Sequence, residues 1–369
     1  MKRLVSPTLL ILFISSFALG WRDTPDDRLF MWAVSMTLSG SRLYVSDADT
    51  GLHVYDVSNL SAPTKVIRIP LGGNLSSAVK DDIIYTNHYR QVQAIRITDS
   101  GYEVVATIDE PYSDPHGQPW HEGVMDESSG FGCAACSNDY DRMSSPIPAP
   151  STGSSFATFA VIDNELYRVY DGKLSVYDIS DAKKLTKVAS VHINWNVETL
   201  YPTQDLLFVG GQLGMYIFDR TDPWNPKQLS AIEHTVACDP VVVDGSTAFV
   251  TLRQGYFCGA GVDELMCVNI ADPSQPVVMC EKPITTPWGL AVQNSQLFLS
   301  HGDSGYSLLD VSKPDAPEVK ANWPTLATRD FIWSGNTLFV MSQDNVYIYD
   351  VTNPLEPVLL SQVQGVPGT

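Results

Sequence analysis

Basic residues are scarce in this sequence: 23 Lys and Arg stand against 42 Asp and Glu, which gives a formal net charge of −19. A chain this acidic repels nucleic acid and anionic lipid, so we expect neither as a partner. Cationic partners or divalent metal ions suit the charge, and a charge that serves only solubility explains it as well. After the first twenty residues no apolar run is long enough to span a bilayer.

Several signatures of catalysis and cofactor binding are also lacking. The sequence has no nucleophile elbow, no P-loop and no Rossmann glycine pattern. The segment GGQLG at 210–214 reads as a loop, and DADTG at 47–51 has only part of a calcium-binding loop. We therefore expect no cofactor, with calcium at 47–51 as a minor alternative. No segment has the pattern of a helix.

The first twenty residues, MKRLVSPTLLILFISSFALG, have the pattern of a secretory signal. Lys2 and Arg3 precede an apolar run at 9–17, and small residues follow where a signal peptidase would cut. We expect residues 1–20 to be removed and the protein to be exported to the periplasm, the cell surface or the medium. An oxidising compartment would favour disulfides among the six cysteines.

One hairpin-like unit recurs along the rest of the chain. It reads LHVYDVSNLSAPTKV at 52–66, LSVYDISDAKKLTKV at 174–188 and VYIYDVTNPLEPVLL at 346–360. Aligned on the acidic residue of the YD pair, the units fall near Asp56, Arg96, Asp178, Asp219, Asn269, Asp310 and Asp350. A period near forty residues with strand-like units indicates a β-propeller.

Each unit is expected to form one four-stranded blade. Apolar residues occupy both faces of the strands, as sheets packed on neighbours at both faces require. We predict an all-β, seven-bladed, monomeric propeller over residues 21–369, with first strands that begin near Trp32, Leu75, Thr158, Glu198, Pro240, Gly289 and Asp330. Residues 109–155 lack the period. They are expected to form an insertion between blades two and three that adds no strand, so its removal should leave a folded propeller.

The repeated units resemble LVIVD repeats, which occur in bacterial and archaeal exported or surface proteins. The resemblance is strongest over 197–259, which begins VETLYPTQDLLFVGG, and covers nearly all of the chain after residue 20. It implies a propeller fold and brings no established biochemical activity. Arg96 and Asn269 replace the usual Asp, so blades two and five are the atypical ones.

The candidate site is one mouth of the central channel. Counting back ten residues from the anchor of each second strand gives Val34, Leu75, Ala157, Glu198, Asp239, Trp288 and Arg329. With neighbouring and loop residues, the predicted ligand-binding set is Glu198, Asp239, Trp288, Arg329, Asp330, His88, Arg253 and His301. The alternative is that Arg329 only pairs with Asp239 or Asp330 inside a water-filled channel.

Two functions fit this mouth. The first is a non-enzymatic binding or scaffold protein that holds a protein, peptide or glycan on the loop-rich face. The second is an exported hydrolase or lyase, with Glu198, Asp239, His234 and His301 as acid–base groups. Neutralisation of the carboxylates by arginine, or a plugged channel, would count against the enzyme.

The six cysteines are predicted to form three disulfides. A turn at 272–276 pairs Ile270 with Val277 and sets Cys267 opposite Cys280. A second bridge, Cys238–Cys258, would fasten the longer loop of blade five. Cys133 and Cys136 either bridge each other or bind zinc together with His116 and His121.

Overall fold

The computed structural model describes residues 33–110, 152–193, 197–234, 237, 240–254 and 261–365. These residues form seven antiparallel sheets of four consecutive strands each, as the repeats predict. The sole helix within these ranges is a single 3₁₀ turn at Gly302–Ser304.

The blades follow one another along the chain. Blade one consists of β1 (Ala33–Ser39), β2 (Arg42–Asp47), β3 (Gly51–Asp56) and β4 (Thr64–Ile69), and blade two of β5 (Ser77–Lys80), β6 (Ile83–His88), β7 (Gln91–Thr98) and β8 (Gly101–Ile108). After a short strand β9 (Thr152–Gly153), blade three consists of β10 (Phe159–Ile162), β11 (Glu165–Tyr170), β12 (Lys173–Asp178) and β13 (Thr186–His192).

The remaining blades have the same order of strands. Blade four consists of β14 (Val197–Pro202), β15 (Leu206–Gly211), β16 (Gly214–Asp219) and β17 (Lys227–Glu233), and blade five of β18 (Val241–Asp244), β19 (Thr247–Leu252), β20 (Glu264–Asn269) and β21 (Val277–Pro283). Blade six consists of β22 (Leu290–Gln293), β23 (Gln296–Ser300), β24 (Tyr306–Asp310) and β25 (Glu318–Trp323), and blade seven of β26 (Asp330–Ser334), β27 (Thr337–Met341), β28 (Asn345–Asp350) and β29 (Val358–Gln364).

The first strands of the blades form a closed inner ring. Each contacts the first strand of the next blade, and β26 contacts β1. The observed first strands begin within two residues of the predicted positions. The four described strands of blade seven all come from the C-terminal repeat, as predicted.

Hydrophobic clusters lie between adjacent blades all round the ring. Phe298 of blade six, for example, has its ring centre 6.1 Å from that of Phe331 in blade seven and 4.8 Å from that of Trp333. Each sheet is covered on both faces by its neighbours, which explains why its strands carry apolar residues on both faces.

The acidic residue of the repeat fixes the turn that follows the third strand. In six blades a side-chain oxygen at this position accepts the backbone N–H two residues later, at 2.8–3.0 Å; the residues are Asp56, Asp178, Asp219, Asn269, Asp310 and Asp350. In blade two, Arg96 instead forms an ion pair with Glu103 at 2.7 Å. The acidic residue is therefore structural.

The end of the insertion does contribute a strand, so that part of the prediction is wrong. Strand β9 pairs with the inner edge of blade one, with Gly153 opposite Thr37 and Thr152 opposite Leu38. A two-residue strand is too short to show an apolar alternation in the sequence.

A β-bulge interrupts the pairing between the third and fourth strands of every blade. In blade five it corrects the predicted register near the turn, because Val277 pairs with Asn269 rather than with Ile270. The extra residue of the bulge then brings Cys267 opposite Cys280, as predicted. Both are free thiols in this structure. The pairs Cys238–Cys258 and Cys133–Cys136 lie outside the described residues, so all three bridges stay predictions.

We expect Cys267 and Cys280 to form a disulfide in the oxidised protein. Facing residues of antiparallel strands lie within disulfide reach, and closing this loop should add about 2–4 kcal/mol to the free energy of unfolding. Non-reducing peptide mapping identifies the bridge. Urea unfolding with and without dithiothreitol measures how much reduction lowers the free energy of unfolding. This difference should be about 2–4 kcal/mol smaller in the Cys267→Ala/Cys280→Ala variant than in wild type. A Cys258–Cys267 bridge would contradict the pairing.

His53 on β3 should make stability depend on pH. Its side chain is 0% exposed, Nε2 lies 2.7 Å from Thr50 Oγ1, and burial, reinforced by Lys65, lowers the pKa to about 4. Between pH 6.5 and 4 the unfolded chain therefore binds a proton that the folded chain does not. The associated stability is complete above pH 6.5 and is lost as the pH falls to 4.

Between neutral pH and pH 4, the free energy of unfolding should fall by about 3 kcal/mol more in wild type than in the His53→Gln variant. Urea unfolding of both proteins across this range gives the difference, in which the contributions of the other titrating groups cancel. Parallel pH profiles would show that His53 is not the cause.

No helix among the described residues is long and apolar enough to cross a membrane.

Candidate functional site

A cavity of about 580 Å³ lies where the inner strands begin. Five of the counted-back residues line it: Val34, Leu75, Glu198, Trp288 and Arg329. Ala157 is buried and its neighbour Thr158 lines the wall instead, whereas Asp239 lies outside the described residues. The volume falls within the range of small-molecule sites, about 300–1,000 Å³.

Two arginines pack against Trp288 at the cavity. The guanidinium carbon of Arg253 lies 3.7 Å from the centre of the Trp288 ring, and that of Arg329 lies 4.4 Å from it. Burial lowers the pKa of Arg253 and the charge of Arg329 lowers it further, whereas Glu198 opposes the shift. We call Arg253, Trp288 and Arg329 the Arg–Trp–Arg cluster.

Gly302 makes this close packing possible. Its φ is +59°, and an added Cβ would lie 2.7 Å from Trp288 Nε1 and 3.2 Å from Arg329 Nη1. Both the backbone conformation and the space therefore favour glycine. Trp288 is also held by its backbone, since its N–H donates to Ser300 O and its carbonyl accepts from Thr251 Oγ1.

Arg329 forms its ion pair with Asp303, at 3.0 Å, and not with Asp330. The Asp303 side chain is 84% exposed, so solvent screens the pair strongly. The predicted alternative, an Arg329–Asp330 pair, is wrong, and pairing with Asp239 stays untested because Asp239 lies outside the described residues.

Of the acid–base candidates that the structure describes, Glu198 alone lies on the cavity wall. Its Oε1 accepts from Gln212 Nε2 at 2.8 Å; burial raises the pKa of Glu198, and Gln212 and Arg253 oppose the rise. His301 contacts Thr285 O and Ser307 Oγ, and burial lowers its pKa. Neither His301 nor His234 is among the described residues that line the cavity.

Asp330 anchors the chain inside the ring. Its side chain is 0% exposed and accepts hydrogen bonds from Ser155 Oγ at 2.6 Å, Phe156 N–H at 3.0 Å and Phe331 N–H at 2.8 Å. Burial raises its pKa to about 6, and hydrogen bonds from Ser154 and Ser155 oppose the rise. Because protein groups occupy its oxygens, Asp330 is a structural residue rather than the ligand-binding residue that the sequence suggested.

The segment from Ser154 to Phe156, which supplies these partners of Asp330, also contacts other inner strands of the ring. Ser154 N–H donates to Met36 O on β1, and Ser155 Oγ accepts from Leu290 N–H on β22. The segment thus contacts the inner strands of blades one, six and seven. Phe156, directly after it, lines the cavity with its ring centre 6.3 Å from that of Trp288.

Comparison with known proteins agrees with this architecture. The family model of the LVIVD repeat matches residues 32–69, which cover most of blade one. The chain carries an LVIVD repeat. No curated protein matches the sequence.

Solved structures similar to this chain share its fold at low sequence identity. The computationally designed Ika8 protein is 12% identical with a TM-score of 0.56, over 92% of this chain and 89% of that one. BamB from Moraxella catarrhalis is 11% identical with a TM-score of 0.55, over 85% and 80%. The Pseudomonas aeruginosa periplasmic gluconolactonase PpgL is 11% identical with a TM-score of 0.55, over 91% and 98%. At such identities the likeness shows the fold alone.

His88, a predicted ligand residue, stabilises a loop instead. His88 Nδ1 accepts from Gly72 N–H at 3.0 Å, and its ring packs edge-on against Tyr89. The neighbouring residue Asn87 lines the cavity.

Phe156 and Arg168 are among the cavity residues that sequence reasoning missed. Phe156 follows the insertion, and Arg168 lies on a second strand, so counting along the first strands could not find either. Arg168 is 2% exposed, lies 4.3 Å from the centre of the Tyr170 ring and donates to Arg90 O. The basic residue within the otherwise apolar strand ELYRVY was the available signal.

The metal predictions stay untested. His116, His121, Cys133 and Cys136, the candidate zinc ligands, lie outside the described residues. Within the described ranges, no group of three or more His, Cys, Asp or Glu side chains could hold a metal ion. In the candidate calcium segment, Asp47 Oδ1 accepts the N–H groups of Asp49 and Thr50 at 2.8 and 2.7 Å.

Proposed function

We propose that this protein is an exported, non-enzymatic binding or scaffold protein that holds a peptide, protein or glycan at the mouth of its channel. The observation that carries the proposal is the cavity of about 580 Å³ beside the Arg–Trp–Arg cluster. An enclosed site with aromatic walls and a few charged groups suits ligand capture.

The placement of the acid–base candidates favours binding over catalysis. Among the described residues only Glu198 of the four lines the cavity, and the charge of Arg253 acts on it. Ser154 and Ser155 are hydrogen-bonded to the inner strands of blades one and six, so protein groups lie inside the ring. The similar structures do not decide the question, since one of them is by name a gluconolactonase.

Filling the cavity tests the proposal. Val34 lines the cavity at an irregularity in the pairing of β1 with β2, so Val34→Trp should fill the pocket without breaking the sheet. Ligands that wild type captures from peptide and glycan arrays should bind at least tenfold more weakly to this variant. The control is Val278→Trp, at an exposed position on the outer strand β21.

Two results would contradict the proposal. Equal capture by Val34→Trp and wild type, with unchanged circular dichroism, would place binding elsewhere. Turnover of a captured ligand that Glu198→Gln abolishes would establish the enzyme.

A further inference from the structure

The cavity is apolar over most of its wall. Val34, Leu75, Phe156, Phe159 and Met341, contributed by blades one, two, three and seven, form that part of the lining. Such a wall gains little from a ligand covered with hydroxyl groups, because burying each hydroxyl without a partner costs free energy. It suits a ligand with an apolar body.

The wall near Trp288 is cationic. Arg329 belongs to the described lining of the cavity, and Arg253 packs against the same Trp288 ring without belonging to that lining. The two like charges repel each other, and the charge of Arg329 accordingly lowers the pKa of Arg253. An anion bound beside both groups would relieve this repulsion.

The present partners leave these arginines available. Arg253 packs against Trp288, and the charges of Glu198 and Asp263 attract its guanidinium group. Arg329 forms an ion pair with Asp303, whose side chain is 84% exposed, and an exposed pair of this kind contributes little to the free energy of unfolding. A ligand carboxylate can replace Asp303 there, because a guanidinium presents several donors in a planar fork that matches a carboxylate.

We propose that the ligand is a carboxylate attached to an apolar group, with the carboxylate at Arg253 and Arg329 and the apolar group in the cavity. This inference rests on the proposed binding function. A peptide C-terminus with a large apolar last residue and a small organic acid such as phenylpropionate share this chemistry. Glu198 and Asp171 also line the wall and disfavour a second negative charge on the ligand. The site therefore selects one carboxylate.

Calorimetry with matched acids and amides tests this class. The probes are acetyl-Gly-Gly-Phe and 3-phenylpropionate, each against its neutral amide, at neutral pH and low salt. At least one acid should bind at least tenfold more tightly than its amide. If the tripeptide acid binds and phenylpropionate does not, the carboxylate belongs to a peptide C-terminus. If phenylpropionate binds and the tripeptide acid does not, it belongs to a small organic acid.

Arginine variants locate the carboxylate. Arg329→Gln and Arg253→Gln should each weaken the acid at least tenfold and leave the amide nearly unchanged. Arg329→Lys should retain part of the affinity, because it keeps the charge without the fork. Arg96→Gln is the control, since Arg96 pairs with Glu103 on the outside of blade two.

The failures of the two proposals are distinguishable. Equal binding of acid and amide, no binding of either acid at millimolar concentration, or acid binding indifferent to both Arg→Gln changes would overturn the ligand class. If an array ligand is still lost in Val34→Trp, the binding function stands with another ligand. If Val34→Trp retains every ligand, the binding function fails as well.

Discussion

Asp330→Ala is expected to lower the free energy of unfolding by about 3 kcal/mol at neutral pH. The change leaves Ser155 Oγ and the N–H groups of Phe156 and Phe331 without their acceptor inside the ring. Each such donor costs about 1–3 kcal/mol, and relief from burying the Asp330 charge offsets part of the sum. Urea unfolding measures the loss.

The pH dependence of this loss has a definite sign. Because the folded pKa of Asp330 is about 6 and its ordinary value is 3.8, the folded protein binds the proton first as the pH falls. The cost of burying the charge is complete above pH 6 and is relieved towards pH 3.8. The advantage of wild type over Asp330→Ala should therefore widen between pH 7 and pH 5.

Asp350→Ala is the matched control for Asp330→Ala. Asp350 accepts the N–H of Thr352 in an exposed turn, so its loss should cost less than about 1 kcal/mol. Equal destabilisation by the two variants would show that the channel anchor is not important for folding.

The fold could be predicted because each repeat marks in its sequence where its strands lie and where the third strand ends. The apolar pattern on both faces requires packing between blades, and an Asp, or Asn269 in blade five, marks the end of the third strand in six of them. The same regularity gave the mouth residues, since a fixed offset from the second strand reaches the start of the inner strand in every blade. Val34, Leu75, Glu198, Trp288 and Arg329 line the cavity for that reason.

What could not be predicted depends on contacts outside the repeat. Asp330 receives its partners Ser155 and Phe156 from 175 and 174 residues away, at the end of a segment without a period. Its position at the mouth suggested a ligand residue, whereas burial and these donors make it an anchor. The bulge between Cys267 and Val268 likewise is marked by no residue type in the sequence.

The largest loss of stability is expected when the insertion is replaced together with its two anchors. Glu110 accepts from Lys187 Nζ at 2.7 Å and from the Tyr177 hydroxyl, which fastens the first end of the insertion to blade three. Ser154, Ser155 and β9 fasten the other end inside the ring. Replacing 109–155 with a Gly/Ser linker of equal length should therefore cost at least about 4 kcal/mol, because both sets of contacts are lost together.

Replacing only 112–150 with a Gly/Ser linker of equal length is the matched control. It keeps Glu110 and the segment from Thr152 to Phe156, so every contact described above remains, and the stability should change by less than about 1 kcal/mol. Urea unfolding of the two variants beside wild type gives both values. If the shorter replacement unfolds the protein, residues 112–150 belong to the core. If the longer one is as stable as wild type, the contacts at Glu110 and Asp330 do not hold the ring together, and the expected effect of Asp330→Ala must fail with them.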